Sequence, residues 1–337
     1  EQDIAKAREQ LLDLLPQAIH NLKTLDHDLE QVAKTAERLA QEMDFSFLVD
    51  PSRRVLSIGF EMGPRQRHGS CYDLMASEAR IATFLAVARG DITPQSWRKL
   101  GREHTFAYGR FLLVSWSGTM FEYLMPALWM RAYSGTMIAR TQEACVKVQQ
   151  EFGRERGIPW GISESGASRV NDCGDYHYFA YGIPRLALWF EATAGPVTSP
   201  YSTFLALSVD PPEALRNLRR MQTERWTGAY GFYEAADFST GSRGPVLVKE
   251  WMTHHLGMSL LAVVNLLCDD IVQEWFHRHP QIQAAEMLLQ ETPVSKSILK
   301  AQLKEIAPIQ SNVKAFSFGS LKLPKPSHRR RAVKAAL

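Results

Sequence analysis

Three glutamates stand where a carboxylic acid can do chemistry, each set among glycines and aromatic rings instead of lysines and glutamines. They are Glu78 in CYDLMASEAR, Glu122 in WSGTMFEYLMP and Glu164 in PWGISESG. Their neighbours include Tyr72, Trp116, Phe121, Tyr123 and Trp160. Flat rings stack on pyranose faces, and the desolvation they cause raises the pKa of an acid that must keep its proton near neutral pH. Three such segments in one chain point to glycoside chemistry. Retaining transfer needs two carboxyls about 5–5.5 Å apart, one attacking the anomeric carbon and one protonating the leaving oxygen.

Each candidate also has a plainer reading. Glu78 could form an ion pair with Arg80 or Arg67, within its helix or across to another. Glu164 lies between Ser163 and Ser165, where it could serve as a helix N-terminal acid or a loop cap. Glu122 could bind sugar hydroxyls or orient a catalytic acid. It could equally be a buried acid in the first turn of a helix running to Ala132, favoured there by the dipole. Asp73 is either a glucose-hydroxyl partner or an N-terminal helix carboxylate. The run YGFYEAADF interleaves Tyr230, Phe232, Tyr233, Glu234 and Asp237, a composition suited to glucose subsites, although many such rings are ordinary core. Trp116, Tyr176, Tyr178 and Tyr181 could line acceptor subsites that exclude water. His254-His255 has the look of a metal pair. Adjacent residues diverge on a helix, however, and no carboxylate has the matching spacing. A sugar-hydroxyl contact is the expected role, with no metal and no cofactor.

These residues need elements to hold them. Leu11, Leu15, Ile19 and Leu22 recur at helical spacing, and Leu29, Val32, Ala33, Ala36 and Leu39 continue the pattern, so residues 1–44 are expected to form helices packing on the main body. Phe45, Phe47 and Val49 alternate with polar residues, DPSRR turns the chain, and Val55, Ser57 and Gly59 follow, which predicts a small β-hairpin. Beyond it, apolar segments of helical length alternate with loops rich in Gly, Pro and Ser. Helices are predicted over Tyr72–Ala88, Thr93–Gly101, Phe121–Ala132, Met137–Phe152, Ser199–Ser208, Pro212–Thr223, Val246–Leu267 and Asp269–His277, with shorter ones near Gln281–Gln290 and Ser295–Glu305. Strands and helices do not alternate, so a parallel sheet is not expected. Ten or more helices with uneven loops suggest an all-α fold of paired helices closed into a toroid over residues 45–305. The loops bearing the acids would gather at one mouth. Residues 306–337 lose periodicity and become basic and Pro-containing, as in a tail or linker.

Composition narrows the class. The 337 residues are 45% hydrophobic and 22% charged, as in a soluble globular protein. The 39 basic and 36 acidic residues give a net charge of +3, too little for a nucleic-acid partner, and the RRR cluster of the tail reads as a solvated terminus. Cys71, Cys145, Cys173 and Cys268 show no paired spacing, so free thiols in a reducing compartment are expected. The charged opening EQDIAKAREQ carries no visible signal peptide, and the apolar stretch Phe111 to Tyr133 is broken by Gly118, Glu122, Pro126 and Arg131.

The runs SCYDLMASEARIATFLAVARGD, LVSWSGTMFEYLMPALWMRAY, RERGIPWGISES, GAYGFYEAADF, MTHHLGMSLLA and AAEMLLQE resemble the cyclization, or glycoamylase-like, domain of bacterial cyclic β-1,2-glucan synthases. The similarity extends over roughly residues 44–291. The resemblance implies an (α/α)6-barrel acting on β-1,2-glucan chains, with anomer-retaining transglycosylation that closes a linear chain into a ring. It also implies a place within a larger membrane-bound synthase, at the cytoplasmic face of the bacterial inner membrane, whereas the domain alone is expected in the cytoplasm. Related barrels are endo-β-1,2-glucanases, which hydrolyse instead. By motif, Glu78 takes the acid/base role and Glu164 the nucleophile role. This chain departs from the family's usual runs at Asp175-Tyr176-His177-Tyr178, at Tyr181-Gly182-Ile183-Pro184-Arg185-Leu186-Ala187 and at His254-His255-Leu256-Gly257. Those segments bear on acceptor choice, and so on the balance between ring closure, linear transfer and hydrolysis. A glucan-binding module without catalysis is the reading from outside the enzymes.

Overall fold

A computed structural model describes residues 2–75, 77–171, 174, 176–188, 196–240 and 244–293, with backbone only at 2, 3 and 77–79. The side chain of Glu78, Cys173, Asp175, the expected helix Ser295–Glu305 and the basic tail therefore lie outside the described residues. Glu1–Thr292 forms one compact unit.

The chain opens with α1, Gln2–Glu42, a single helix of 41 residues. Its apolar side chains, Leu11, Leu15, Leu22 and Leu29 among them, are exposed. Arg89 holds its C-terminal end by donating to the carbonyls of Ala40, Gln41 and Met43. The hairpin expected next shrinks to one bridge, Val49 to Leu56, because its first arm winds into a 3-10 turn at Ser46–Leu48. The cause is local: Asp44 accepts the Ser46 amide at 2.8 Å, a side-chain turn that competes with the ladder. A short pair follows instead, β1 Phe60–Glu61 with β2 Gln66–Arg67.

Helices dominate the rest. α2 (Ser77–Arg89) and α3 (Pro94–Lys99) pack through Phe84 against Trp97, and the hairpin of β3 (His104–Ala107) with β4 (Arg110–Leu113) leads on. α4 is only Met120–Leu124, shorter than predicted, because Pro126 has no amide to continue it and the chain tightens into a 3-10 turn over Met125–Leu128. α5, Met137–Arg156, is the longest helix of the core. Thr136 caps its start, Gly157 at φ 68° ends it, and Ala144, Cys145, Val146, Val148 and Phe152 are buried along it.

β5 (Ser165–Val170) pairs antiparallel with β6 (Tyr176–Phe179), and β7 (Val197–Thr198) leads into α6 (Pro200–Leu205) and α7 (Pro211–Thr223). Asp210 caps α7 and also accepts from Lys147 of α5 at 2.6 Å. After the pair β8 (Thr227–Gly228) and β9 (Gly231–Phe232), a three-stranded antiparallel sheet runs in the order β11-β10-β7, with β10 at Ala235–Asp237 and β11 at Val246–Val248. The helix expected from Val246 therefore begins only at Thr253. The Val-Leu-Val triplet pairs with β10 as a strand, as its β-branched residues favour. α8 (Thr253–Leu267), α9 (Ile271–His277) and α10 (Pro280–Ala285) complete the unit. Glu291 fastens the end to α3, accepting from Trp97 Nε1 at 2.6 Å and from two nitrogens of Arg102. The fold is thus mainly helical, as expected, with more small antiparallel sheets than the one hairpin foreseen, among them the β5–β6 pair that follows Glu164.

Among the described residues no single helix is long and apolar enough to cross a membrane. α8 and α9 pass that test only as a pair, bent by 93° at the break between them.

Candidate active site

Glu164 is carried by a loop fixed on both sides. Upstream, Gly161 has φ +117°, and a Cβ there would meet Ser202 Oγ at 2.7 Å, so only glycine lets this turn lie against α6. Ser163 is fully buried, accepts the Phe121 amide at 3.0 Å and shares a 2.8 Å hydrogen bond with the Tyr201 hydroxyl. Tyr201 also donates to the Glu164 carbonyl at 3.0 Å. Downstream, β5 is held by two acids of the segment preceding and forming β10. Glu234 Oε1 accepts the Gly166 amide at 3.2 Å, and Asp237 Oδ2 accepts both the amide and hydroxyl of Ser168. The Glu164 carboxylate itself is half-buried, and its Oε1 accepts from the Tyr178 hydroxyl at 3.1 Å.

Behind that tyrosine lies a second acid. His255 Nε2 is 3.4 Å from the Tyr178 hydroxyl, and His255 Nδ1 is 2.9 Å from Glu234 Oε2. Both side chains of the pair are almost fully buried. The Tyr201 ring lies flat on the imidazole, with centroids 3.7 Å apart and planes 8° from parallel. Burial holds the Tyr201 hydroxyl well above its ordinary pKa, with the Glu164 charge adding to it, so Tyr201 stays a neutral donor. His254 is exposed, and its pKa is lowered by desolvation and then by the neighbouring His255.

Glu122 is used quite differently. Thr119 and Glu122 form a reciprocal capping box at the start of α4. Its carboxylate accepts from Ser115 Oγ at 2.9 Å, from the Ser117 amide, and from both the amide and hydroxyl of Thr119. Desolvation raises its pKa against the pull of those hydrogen bonds. Of the two readings open in the sequence, the buried first-turn acid is the one this geometry fits. Tyr123, expected in a cleft, is 0% exposed and donates to the Leu113 carbonyl at 2.8 Å, so it is core. Trp160 is also buried, its amide bonded to Asn217, because the Gly153 backbone packs against its Cβ.

The remaining candidates scatter. Tyr72 is half-buried and donates to the Ile58 carbonyl at 3.3 Å, and Asp73 caps the turn at Met75. Trp116 is 48% exposed and Tyr178 39%, rings open to a ligand, while Tyr176 packs on the core edge. Tyr233 packs beside Trp251, with centroids 5.3 Å apart, in the wall of a cavity of about 170 Å³, open to solvent, that also reaches His255 and Glu234. Arg80 is buried and donates to the carbonyls of Glu122 and Tyr123, ties that join the start of α2 to α4. Burial lowers its pKa to about 10. So the structure joins Glu164, Tyr178, Glu234 and His255 in one network, with Glu122 and Tyr123 apart from it. Sequence reasoning missed Tyr201, and it named Ser163 and Arg80 only as neighbours of the glutamates. The SPYS turn before α6 signals a helix start but not a ring that stacks on a histidine.

A half-buried carboxylate held on a fixed loop beside an exposed tyrosine ring is an arrangement a sugar could meet. Residues 70–280 match the Glycoamylase family model, described as "Putative glucoamylase", and the chain belongs to that family. It is 42% identical over 275 residues to the cyclic beta-(1,2)-glucan synthase NdvB of Rhizobium meliloti (strain 1021), a match that covers 80% of this chain and 10% of that protein. Among solved structures, the fold resembles the endo-beta-1,2-glucanase of Chitinophaga pinensis, with a TM-score of 0.60 and 17% identity over 77% of this chain and 65% of that one. The beta-1,2-glucanase of Parabacteroides distasonis is similar at TM-score 0.54 and 15% identity, covering 77% and 41%.

Proposed function

We propose that this chain acts on β-1,2-glucan by a retaining, two-carboxylate mechanism and transfers the cleaved chain to a sugar hydroxyl, closing rings where the acceptor is the chain's own end. Glu164 is the nucleophile and Glu78 the acid/base. Glu164 attacks the anomeric carbon as the glycosidic C–O bond breaks, and Glu78 protonates the departing oxygen. Glu78 then takes the proton of the incoming hydroxyl as that oxygen displaces Glu164. Trp116 and Tyr178 hold glucose units by their open faces, and a hydroxyl contact from His254 or Asp73 orients them. The helices close as an (α/α)6-barrel around this site. The observation that carries the reading is the Glu164 carboxylate, presented half-open on a rigid loop, in a chain 42% identical over 275 residues to a cyclic β-1,2-glucan synthase. The chain spans about a tenth of that relative, so work within a larger membrane-bound synthase belongs to the proposal.

Hydrolysis is the second reading, favoured by the likeness of fold to endo-β-1,2-glucanases. Incubation with linear β-1,2-glucan separates the two. Products resistant to an exo-acting β-glucosidase, absent with Glu164→Gln, support ring closure. Linear fragments alone, with a burst of reducing ends, support hydrolysis. Binding that survives Glu164→Gln, with no product from either protein, leaves a glucan-binding module.

A further inference from the structure

Glu234 and His255 lie behind Glu164 with their side chains almost fully buried, and the Tyr178 hydroxyl links them to it. Tyr178 has one proton, and Glu164 Oε1 at 3.1 Å and His255 Nε2 at 3.4 Å are both within its reach. Which acceptor is available depends on the imidazole tautomer, and the tautomer is set from behind. Glu234 is buried, and its Oε1 is occupied by the Gly166 amide, leaving Oε2 to face His255 Nδ1 at 2.9 Å. A buried carboxylate needs a donor there, so the ring proton is assigned to Nδ1 and Nε2 carries a lone pair. The parallel stack of Tyr201 keeps the ring plane from turning away.

We propose that Glu234, His255 and Tyr178 form a hydrogen-bond switch that follows the charge on Glu164, with all three acting as positioning residues for the transfer reaction. The inference rests on the nucleophile role given to Glu164 above. With Glu164 ionised, the Tyr178 hydroxyl donates to the carboxylate, the stronger acceptor. Once Glu164 is esterified to the sugar its charge is gone, and His255 Nε2 becomes the better acceptor. The hydroxyl turns to it, carrying its own proton. No proton crosses the relay. The bond returns to Glu164 as the carboxylate is released, so it assists breakdown of the covalent intermediate and does not tax its formation.

Two substitutions pull in opposite directions. Tyr178→Phe removes assistance to the departing carboxylate. Breakdown then slows about tenfold, the worth of one charge-assisted hydrogen bond, while formation changes little. Glu234→Gln keeps an oxygen for the Gly166 amide but turns an NH2 toward Nδ1, so the ring proton moves to Nε2. That nitrogen now donates to the tyrosine oxygen, locking the Tyr178 proton on Glu164. Only the esterified state loses by this, so breakdown quickens while formation changes little. The measurement is single-turnover and steady-state kinetics with 2,4-dinitrophenyl β-sophoroside, with mass spectrometry of the covalent adduct and thermal melting of each variant. Adduct on Glu164 should rise in Tyr178→Phe and fall in Glu234→Gln relative to the unsubstituted enzyme. Equal losses in both steps for both variants, or losses that track a lowered melting temperature, would mark the network as structural and overturn the switch. An absence of adduct in the unsubstituted enzyme, with turnover unchanged by Glu164→Gln, would instead remove the nucleophile role itself and the switch with it.

Discussion

Glu122 and Glu164 are read alike in the sequence, each a glutamate beside glycine, serine and a ring, yet the fold spends them in opposite ways. Glu122 meets four donor groups from residues 115–119, all within seven positions of itself. Its charge is consumed in holding a turn. At Glu164, the neighbouring donors go elsewhere: Ser163 and Tyr201 satisfy backbone groups and each other, and the carboxylate is left half-open beside Tyr178. An acid surrounded by its own chain's amides is a structural part. An acid whose backbone is satisfied by distant side chains can present its carboxylate half-open beside a ring.

The largest effect should follow Glu164→Gln. Loss of a covalent nucleophile costs on the order of 10⁶ in turnover. Because the carboxylate is half-open and glutamine keeps its shape, the melting temperature should stay within a degree or two of the parent. A melting temperature that falls sharply, with turnover intact, would erase the contrast with Glu122.

Glu122→Ala should behave as the mirror image, with the deficit appearing as instability. It strands buried amides and hydroxyls that cost about 1–3 kcal/mol each when unpaired, so a destabilisation of about 3 kcal/mol is expected in urea unfolding. Activity should then track the folded fraction. A variant as stable as the parent would mean that water replaces the carboxylate and that Glu122 is less enclosed than it looks.

Gly118→Ala tests the same turn through its backbone. Gly118 has φ +75°, and an added Cβ would stand 2.6 Å from the Ile183 carbonyl oxygen, which cannot yield without moving the 183–187 segment. Left-handed strain and the clash together should cost about 2 kcal/mol. Gly109, at φ +74° with open space around it, is the control, and Gly109→Ala should cost about half as much.

Much of this contrast was beyond the sequence for a physical reason. A helix start was legible where a cap announces it, as at Asp210 of α7, because capping chemistry is local, whereas α5 runs past the predicted Phe152 to Arg156 before Gly157 ends it. The Glu122 capping box was readable on the same grounds, Thr119 and Glu122 standing three apart. A ring's orientation is not local. Tyr123 and Tyr178 have similar neighbours in the chain, but Tyr123 is closed over by β4 and the Leu186 turn, whereas Tyr178 projects from β6. The His255–Glu234 pair spans 21 positions and Tyr201 reaches His255 across 54, separations that no spacing rule encodes. The exposed leucines of α1 and the short sheets were missed or misplaced for the same reason: periodicity reports which face is apolar, not what lies against it.

The smallest effect is one of sign. Glu122 and Asp237 are both hydrogen-bonded acids, but burial pushes the Glu122 pKa above its ordinary 4.5. At Asp237 burial pushes the same way, and the hydrogen bonds from Ser168 and Ser239 outweigh it, so its pKa falls below 3.8. In the folded state Glu122 binds a proton that the unfolded chain has released, so its contribution to stability declines as pH rises above about 4.5. Asp237 contributes fully above about 3.8, and that contribution is lost as pH falls through its lower folded value. Urea unfolding between pH 3 and 7, at slopes bounded by about 1.4 kcal/mol per pH unit per group, should show both limbs. Glu122→Gln should flatten the decline above 4.5 and Asp237→Asn the loss below 3.8, each leaving the other limb in place. If Glu122→Gln instead flattened the acid limb, its donors would be winning over burial, and Glu122 would be an ionised cap like Asp237.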